Sequence, residues 1–590
     1  MNQNIMEHEE MKLSAEIMKQ NDIKTGIQNE DEDSERSSSI TDYTKDAHEY
    51  WEKLDNKIST DLTPQWNNPP EDKDETDINQ EDSLQLNSHT YNHGKLNSKS
   101  DEPLLSIEPE VELKVFRVQI WYLLKLIAVL SIGGIQIGYL MSCMGPIDKS
   151  LGLKLGWTND NGQVLSGILA TIALLGIALG SYVLAIPLMD HQGRRQSILV
   201  GIYIGMVGVI IQMFEDFSML LIGRFIQGLA CGIHQMSITR YIEEIVPADK
   251  ISFLLPLYFF SINSARFIVL IIATGMPEDN NIDELTHTGY WRFVIGYAIF
   301  LYILFFLGVK LIIHHDSVKY HIIKKQIGKA KKAIRQIYHY SHTEQEVLEY
   351  LQKSLHLDTL EVSYRKAVIS PKYRRGTLVL IVLAVMHQIS GYQQVNLLSR
   401  YLLRNISSSG HTTMNSNENN WLIASLILVA SLVSIEITRR FERKTVLIAG
   451  YCILTLFNIV IGIGVASEAA YFSYVCALTF IIVFQLLNGQ IIWLYIVEVS
   501  VEINLGMSSL VQWITLIVVT FGTPQLVKGM HSPIYFVASG ICAFGAIFCY
   551  KFVKETKGLT DKQKKNLYAF KEVKPRRQST RSSSNITNQF

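Results

Sequence analysis

From position 118 onward, apolar stretches recur along the chain, each close to the ~20 residues that a helix needs to cross the hydrocarbon core of a bilayer. They fall at about 118–142, 163–188, 196–214, 218–241, 252–274, 291–313, 376–399, 421–438, 445–466, 471–495, 507–527 and 533–553. The pattern predicts an all-α membrane protein with twelve transmembrane helices. Before it lie about 110 residues rich in Asp, Glu, Asn, Ser and Lys, with few apolar runs. Such a segment cannot bury enough surface to offset chain entropy, so a disordered tail is expected.

The loops orient the spans, because Lys and Arg near span ends accumulate on the cytosolic side. Basic clusters follow four of the six even-numbered spans: Arg194 and Arg195 after span 2, Lys319 through Arg375 after span 6, Arg439 to Lys444 after span 8, and Lys551 through Arg581 after span 12. The loops after spans 5 and 7, Pro277 to Glu284 and Asn405 to Asn420, are almost free of basic residues. Both termini are therefore expected in the cytosol, with no cleavable signal peptide among residues 1 to 60. In the long loop after span 6, Ile323, Ile327, Ile334 and Ile337 recur at helical spacing with Lys between them, which predicts short amphipathic helices.

Self-similarity then sets the architecture. Tyr241-Ile-Glu-Glu-Ile-Val-Pro247, ending span 4, matches Tyr495-Ile-Val-Glu-Val-Ser-Val501, ending span 10. Gly193-Arg-Arg-Gln-Ser-Ile198 after span 2 matches Glu442-Arg-Lys-Thr-Val-Leu447 after span 8. Spans 1–6 and 7–12 read as parallel six-helix repeats. The expected organisation is an acidic cytosolic tail (1–112), an N-terminal half (113–314), a cytosolic linker (315–375), a C-terminal half (376–555) and a basic C-terminal tail (556–590).

Charge adds a contrast that the net value of -1 hides. Residues 1–110 hold 10 basic against 27 acidic groups, and the remainder 44 against 28. The basic residues are interrupted by apolar runs, which disfavours a nucleic-acid surface. The six cysteines are scattered without CxxC spacing and read as small buried hydrophobes. No metal-ligand cluster, phosphate-binding glycine loop or nucleophile triad is present, so neither an enzyme nor a cofactor or metal site is expected. Asp101-Glu-Pro-Leu104-Leu105 has the form of an acidic dileucine signal for sorting adaptors, a pattern that also arises by chance.

Several motifs together resemble the sugar porter family of the major facilitator superfamily, over about 115 to 560. Asp190-His-Gln-Gly-Arg194-Arg195 is similar to the family's D-x-x-G-R-R after span 2. Gly223-Arg224-Phe-Ile-Gln-Gly228, followed by Gly232, Tyr241, Glu244 and Pro247, matches the span 4 signature, with Arg224 towards the extracellular side. Gly133-Gly134 with Gly138-Tyr139, Trp291-Arg292 and Lys554-Glu-Thr-Lys-Gly558 match family positions in spans 1 and 6 and after span 12. The resemblance implies a carrier with an inner gate in which Asp190, Arg194, Arg195 and Glu244, and Arg443 with Glu498, clamp helix ends. The bland reading is that these charges only hold topology.

The spans of the second half concentrate carboxamides: Gln388, Gln393, Gln394 and Asn396 on span 7, Gln485, Asn488 and Gln490 on span 10, Gln512 on span 11. Groups that both donate and accept suit the hydroxyls of a neutral polyol and cost less to bury than charges. Interhelical bonding is the alternative use. The family's sugar-contacting span 7 pattern corresponds to His387 through Gln393, with His for its first Gln and Gln for its Asn. Span 10 keeps Trp493 but has Gln485 for the family's Glu, the span 5 Gln is Phe259, and the span 8 Asn is Ile427. Arg266, near the middle of span 5, is either a structural residue bonded to carbonyls or Asn263, or an anion-attracting group helped by His387 or His234.

Proton-coupled sugar porters carry Asp after the span 1 Gly-Tyr, where this chain has Leu140, and Glu436 can pair with Arg440 at i+4. The expected activity is facilitative uniport of a hexose or similar polyol, with Gln388, Gln393, Gln485, Trp493, Gln512, His387 and Arg266 lining the site. A non-transporting sugar receptor and an organic anion carrier using Arg266 are the competing readings. Residence in the plasma membrane is favoured over an endolysosomal one, and Asn405-Ile-Ser407 is a sequon close to span 7.

Overall fold

The structure is a computed structural model that describes residues 114–157, 162–277, 281–355, 370–408, 416–530 and 532–569. The dileucine at Asp101, Leu104 and Leu105 and the expected disorder of residues 1–110 lie outside the described residues. Among the described residues, twelve helices are long and apolar enough to span a membrane: Ile120–Ser142, Val164–Gln192, Arg194–Gln212, Phe217–Ile245, Ile251–Ala273, Tyr290–Ile312, Lys372–Leu403, Glu418–Arg440, Arg443–Ala466, Ala470–Val499, Glu502–Val527 and Pro533–Phe552. They are numbered spans 1 to 12. An even number of crossings puts residue 114 and residue 569 on one side, here the terminal face; the opposite one is the distal face.

Span boundaries follow local chemistry. Span 4 opens where the Asp216 carboxylate accepts from Met219 N at 2.9 Å. Spans 2 and 3 are joined by one residue, Gly193, at φ 88°. A side chain there would strain the backbone and collide with Asp316. In the second half the corresponding Glu442 is extended, at φ −73°. Spans 2 and 4 approach through Gly176 and Gly180 against Gly228 and Gly232, where a Cβ on any of the four would meet the facing backbone. Small residues at four-residue spacing are what let membrane helices come this close.

Three spans depart from the expected plain helices. Span 7 is interrupted at Ser390–Gly391, with Gly391 at φ 98°, and resumes as Tyr392–Ser408. The expected loop from Asn405 to Asn420 is thereby shortened: Asn405 lies in helix, and the next helix starts at Ser416. Span 10 contains a π-helical turn, Gln485–Gly489, and span 2 another at Gly180–Leu184.

On the terminal face, among the described residues, three short helices follow span 6: Val318–Ile323, Ile327–Ile337 and Glu344–Ser354. The middle one buries Ala330, Ala333, Ile334 and Ile337 and leaves Lys329 and Lys332 exposed. Its end is stitched to the start of span 1 by Gln119 N→Ile337 O at 2.8 Å and Tyr122 Oη→Gln336 at 3.1 Å. The chain after span 12 folds back here too. Thr560 and Gln563 form a capping box on the helix Asp561–Lys565, whose Lys564 and Lys565 are buried.

Candidate functional site

The internal repeat becomes physical on the terminal face, where two similar networks occur, one in each half. In the first, Arg194 Nη2 lies 2.8 Å from Glu244 Oε1, the Ser317 hydroxyl donates to the same carboxylate, and Tyr241 Oη donates to His315 O at 2.7 Å. Asp316 accepts the first backbone N–H groups of span 3, from Arg194 at 3.2 Å and Arg195 at 3.0 Å. In the second, Arg443 Nη2 lies 3.3 Å from Glu498 Oε1, Thr556 donates to Glu498 at 2.6 Å, and Tyr495 Oη donates to Lys554 O at 2.9 Å. Glu555 accepts from Arg443 N at 3.2 Å and Lys444 N at 3.0 Å. In both, a carboxylate after the last span of a half satisfies orphan N–H groups of the third span of that half.

Other bonds run between the halves. Arg194 pairs with Glu502 at the start of span 11 as well as with Glu244. Arg443 donates to Ser252 Oγ at the start of span 5, at 2.5 Å. Arg240 donates to Ser500 O at 2.7 Å, and Lys565 pairs with Glu243. Lys319 meets Asp561 at 3.2 Å. Burial pulls the Lys565 ammonium down to about 8, although Glu243 works in the opposite direction. Burial also opposes the charge of Lys319, but Asp561, Glu244 and Glu243 together hold its pKa above the ordinary value.

Deeper in the bundle, Gln235 of span 4 accepts from Trp513 Nε1 of span 11 at 2.9 Å and from Ser509 Oγ at 3.5 Å. The residue before Trp513, Gln512, has its amide nitrogen 3.5 Å from His387 Nδ1, beside the span 7 interruption. The His387 ring packs on Phe484 at 5.3 Å, and Phe484 stacks on Tyr392 at 4.6 Å. Trp493 stacks across the seam on Phe259 of span 5, 6.4 Å between centroids and 29° between planes. Gln388 and Gln485 are buried, the latter in the π-helical turn; Gln393 is half-buried. The Oε1 atoms of Gln512 and Gln394 are buried without a hydrogen-bond partner among the described residues. The result is a layer of amides and flat rings between the halves, with the charged networks on its terminal side.

The structure revises several residue expectations. Arg195 does not pair with Glu244; its Nε donates to Ile313 O at 2.5 Å, because successive residues of a helix point about 100° apart. Asp190 lies beside Arg194 and Glu502. His234 points away from the seam into the first half, 3.2 Å from Ile198 O and against Tyr302 and Phe305. Arg266 is bonded neither to Asn263 nor to a carbonyl; among the described residues it has no hydrogen bond or ion pair, and Asn263 donates to Phe259 O. Arg224, by contrast, is saturated: it donates to Leu169 O at 2.7 Å and Leu140 O at 3.0 Å, tying spans 1, 2 and 4. Glu436 pairs with Arg440 and also with Arg439 at 2.8 Å. Glu502, Gln235 and Lys565 were missed by sequence reasoning. The one available signal was Glu502 standing at a helix start.

Comparison with known proteins gives the architecture a family. The family model described as "Sugar (and other) transporter" matches residues 126–568. Hexose transporter 1 of Toxoplasma gondii is 25% identical over 480 residues, 74% of this chain and 81% of that protein. The major myo-inositol transporter IolT of Bacillus subtilis is 24% identical over 462 residues, 75% of this chain and 94% of that protein. Among solved structures, the proton:xylose symporter XylE bound to 6-bromo-6-deoxy-D-glucose superposes with a TM-score of 0.65 at 19% identity, over 76% of this chain and 99% of that one. The chain belongs to the sugar transporter family and has the major facilitator fold.

Proposed function

We propose that this multi-pass membrane carrier of the sugar transporter family moves a hexose or similar polyol by alternating access, as a facilitative uniporter. The observation that carries the reading is the layer between the halves. Gln512, with its unpartnered buried acceptor, sits against His387, beside Gln388, Gln393 and Gln485, and the Phe259–Trp493 stack offers flat faces. Amides match hydroxyls in both directions, and ring faces suit the C–H surface of a pyranose. The hexose and myo-inositol carriers among its relatives support the same substrate class.

In this reading the bonds between the halves form the inner gate. Arg194–Glu502 and Arg443–Ser252 join groups from opposite halves, and Lys565–Glu243 joins the chain after span 12 to the first half, so rocking the halves apart on the terminal face breaks them. Arg194–Glu244 and Arg443–Glu498 lie within one half and persist, keeping the arginines aimed. Asp190 beside Arg194 and Glu502 tunes that contact, and Arg195 holds span 3 to the end of span 6. The terminal face is the cytosolic one, from the basic residues at even-numbered exits, and the plasma membrane is the proposed location. Asp101, Leu104 and Leu105 remain the proposed sorting-adaptor contact.

Uniport follows from Leu140 standing where proton-coupled members of the family carry an acid, and from the acids of the described spans lying at span ends. Expression in cells lacking their own hexose carriers tests it: labelled hexose uptake should saturate and should survive a protonophore. Uptake that collapses with the proton gradient contradicts uniport. Hexose binding without uptake would support the receptor reading instead.

A further inference from the structure

We propose that Arg266 binds the carboxylate of a sugar acid, so that the central site prefers a hexuronate or aldonate over a neutral hexose. This rests on the carrier reading above and assigns its substrate class. Arg266 follows Phe259 by seven residues, which is two helical turns, about 10 Å towards the distal face and within about 20° on the helix surface. Phe259 stacks on Trp493 of the other half, so this line of span 5 faces the seam. The neighbouring faces are taken: Ala265 packs where Gly138 lets span 1 approach, and Phe267 meets the Trp421 ring at 5.2 Å.

What singles out Arg266 is the contrast with the other arginines buried in the spans. Arg194, Arg224, Arg240 and Arg443 each hold carboxylates, carbonyls or hydroxyls that tie helices together. Arg266 is half-buried in the middle of a span and ties nothing. A charge at that depth is costly unless it meets a partner or lines a water-accessible cavity. Nor is its neighbour Asn263, one turn away, bonded to it; the Asn263 amide nitrogen donates to Phe259 O at 3.4 Å.

A planar guanidinium matches a carboxylate through two parallel hydrogen bonds. The rest of a sugar acid carries the hydroxyls that the amides of the second half suit. A sugar phosphate fits less well, because it would bring up to two negative charges against one guanidinium. The ligand chemistry drawn from this face is therefore a single carboxylate on a polyhydroxy frame, with the acid group oriented to the distal side.

The test uses the full-length carrier in proteoliposomes with labelled glucuronate and labelled glucose. Unlabelled glucuronate should compete with glucose uptake by the wild-type protein. Glucuronate uptake should accelerate under an inside-positive potential, since each turnover moves one negative charge, while glucose uptake should not. Arg266→Gln should raise the glucuronate KM roughly tenfold or more, as loss of a charged hydrogen bond would, and raise the glucose KM by a clearly smaller factor. Arg266→Lys should recover part of the glucuronate uptake. Glucose transport by the wild-type protein without competition by glucuronate overturns this inference and leaves the carrier reading standing. Equal loss of both substrates in Arg266→Gln, with normal potential-independent uptake of both by the wild type, also overturns it. Transport of neither overturns the carrier reading itself.

Discussion

Replacing Trp513 by Phe removes one N–H group and keeps an aromatic ring in a buried position. That group donates to Gln235 Oε1 across the seam at 2.9 Å, and the acceptor would be left with Ser509 Oγ at 3.5 Å. A neutral hydrogen bond contributes about 1 kcal/mol net, so the state in which the halves meet at this level should lose about fivefold in population against the state in which they part. Spin labels at His191→Cys and Phe441→Cys, both exposed on the terminal face and in opposite halves, report the separation. Cys452 and Cys476, which are not fully buried, are replaced first. Double electron–electron resonance should show the longer-distance population rising in Trp513→Phe, rising similarly in Gln235→Leu, and rising no further in the double variant. Additive shifts, or no shift in either single variant, would refute the reasoning that this bond holds the halves together.

Two further outcomes follow from packing and from charge. Gly228→Val should lower the thermal unfolding midpoint in fluorescence-detected size-exclusion measurements by the equivalent of about 1–3 kcal/mol, since its Cβ runs into the Ala173 carbonyl of span 2, whereas Gly540→Ala, with open space around it, should not. Docking of the C-terminal helix should tighten as pH rises from about 8 to about 10.5: the docked Lys565 sits near 8, below its ordinary value of 10.5, so the undocked state binds more protons across that window. A spin label at Asn566→Cys should therefore become less mobile through this range, and Lys565→Met should abolish the dependence.

The span count, the repeat and the pairs Arg194–Glu244, Arg443–Glu498 and Glu436–Arg440 were legible in the sequence, because each rests on a local pattern: apolar length, basic exits and short motifs at span ends. Contacts between distant segments were not. Glu502 lies 308 residues from Arg194, and its motif context gives no hint that one arginine serves a carboxylate in each half. The chain after span 12 reads as a basic tail by composition. The structure instead buries Lys564 and Lys565 against Glu498 and Glu243, a pairing that depends on where span 4 and span 10 end. Span 7 was placed correctly but drawn too short, because the polar residues from Gln393 to Asn405 interrupt its hydropathy while its backbone stays helical. At the candidate site the amides were visible. Gln235 was overshadowed by His234, which packs in the opposite direction.

The central claim is that the amide layer between the halves binds a sugar that the two halves then pass across the membrane. Counterflow in proteoliposomes addresses it directly: vesicles loaded with unlabelled hexose or hexuronate are diluted into a trace of the same labelled compound. Transient accumulation of label above its equilibrium level is predicted, with Gln512→Leu requiring a higher internal concentration for the same overshoot. Label that equilibrates without overshoot, at the rate of protein-free vesicles, would contradict it.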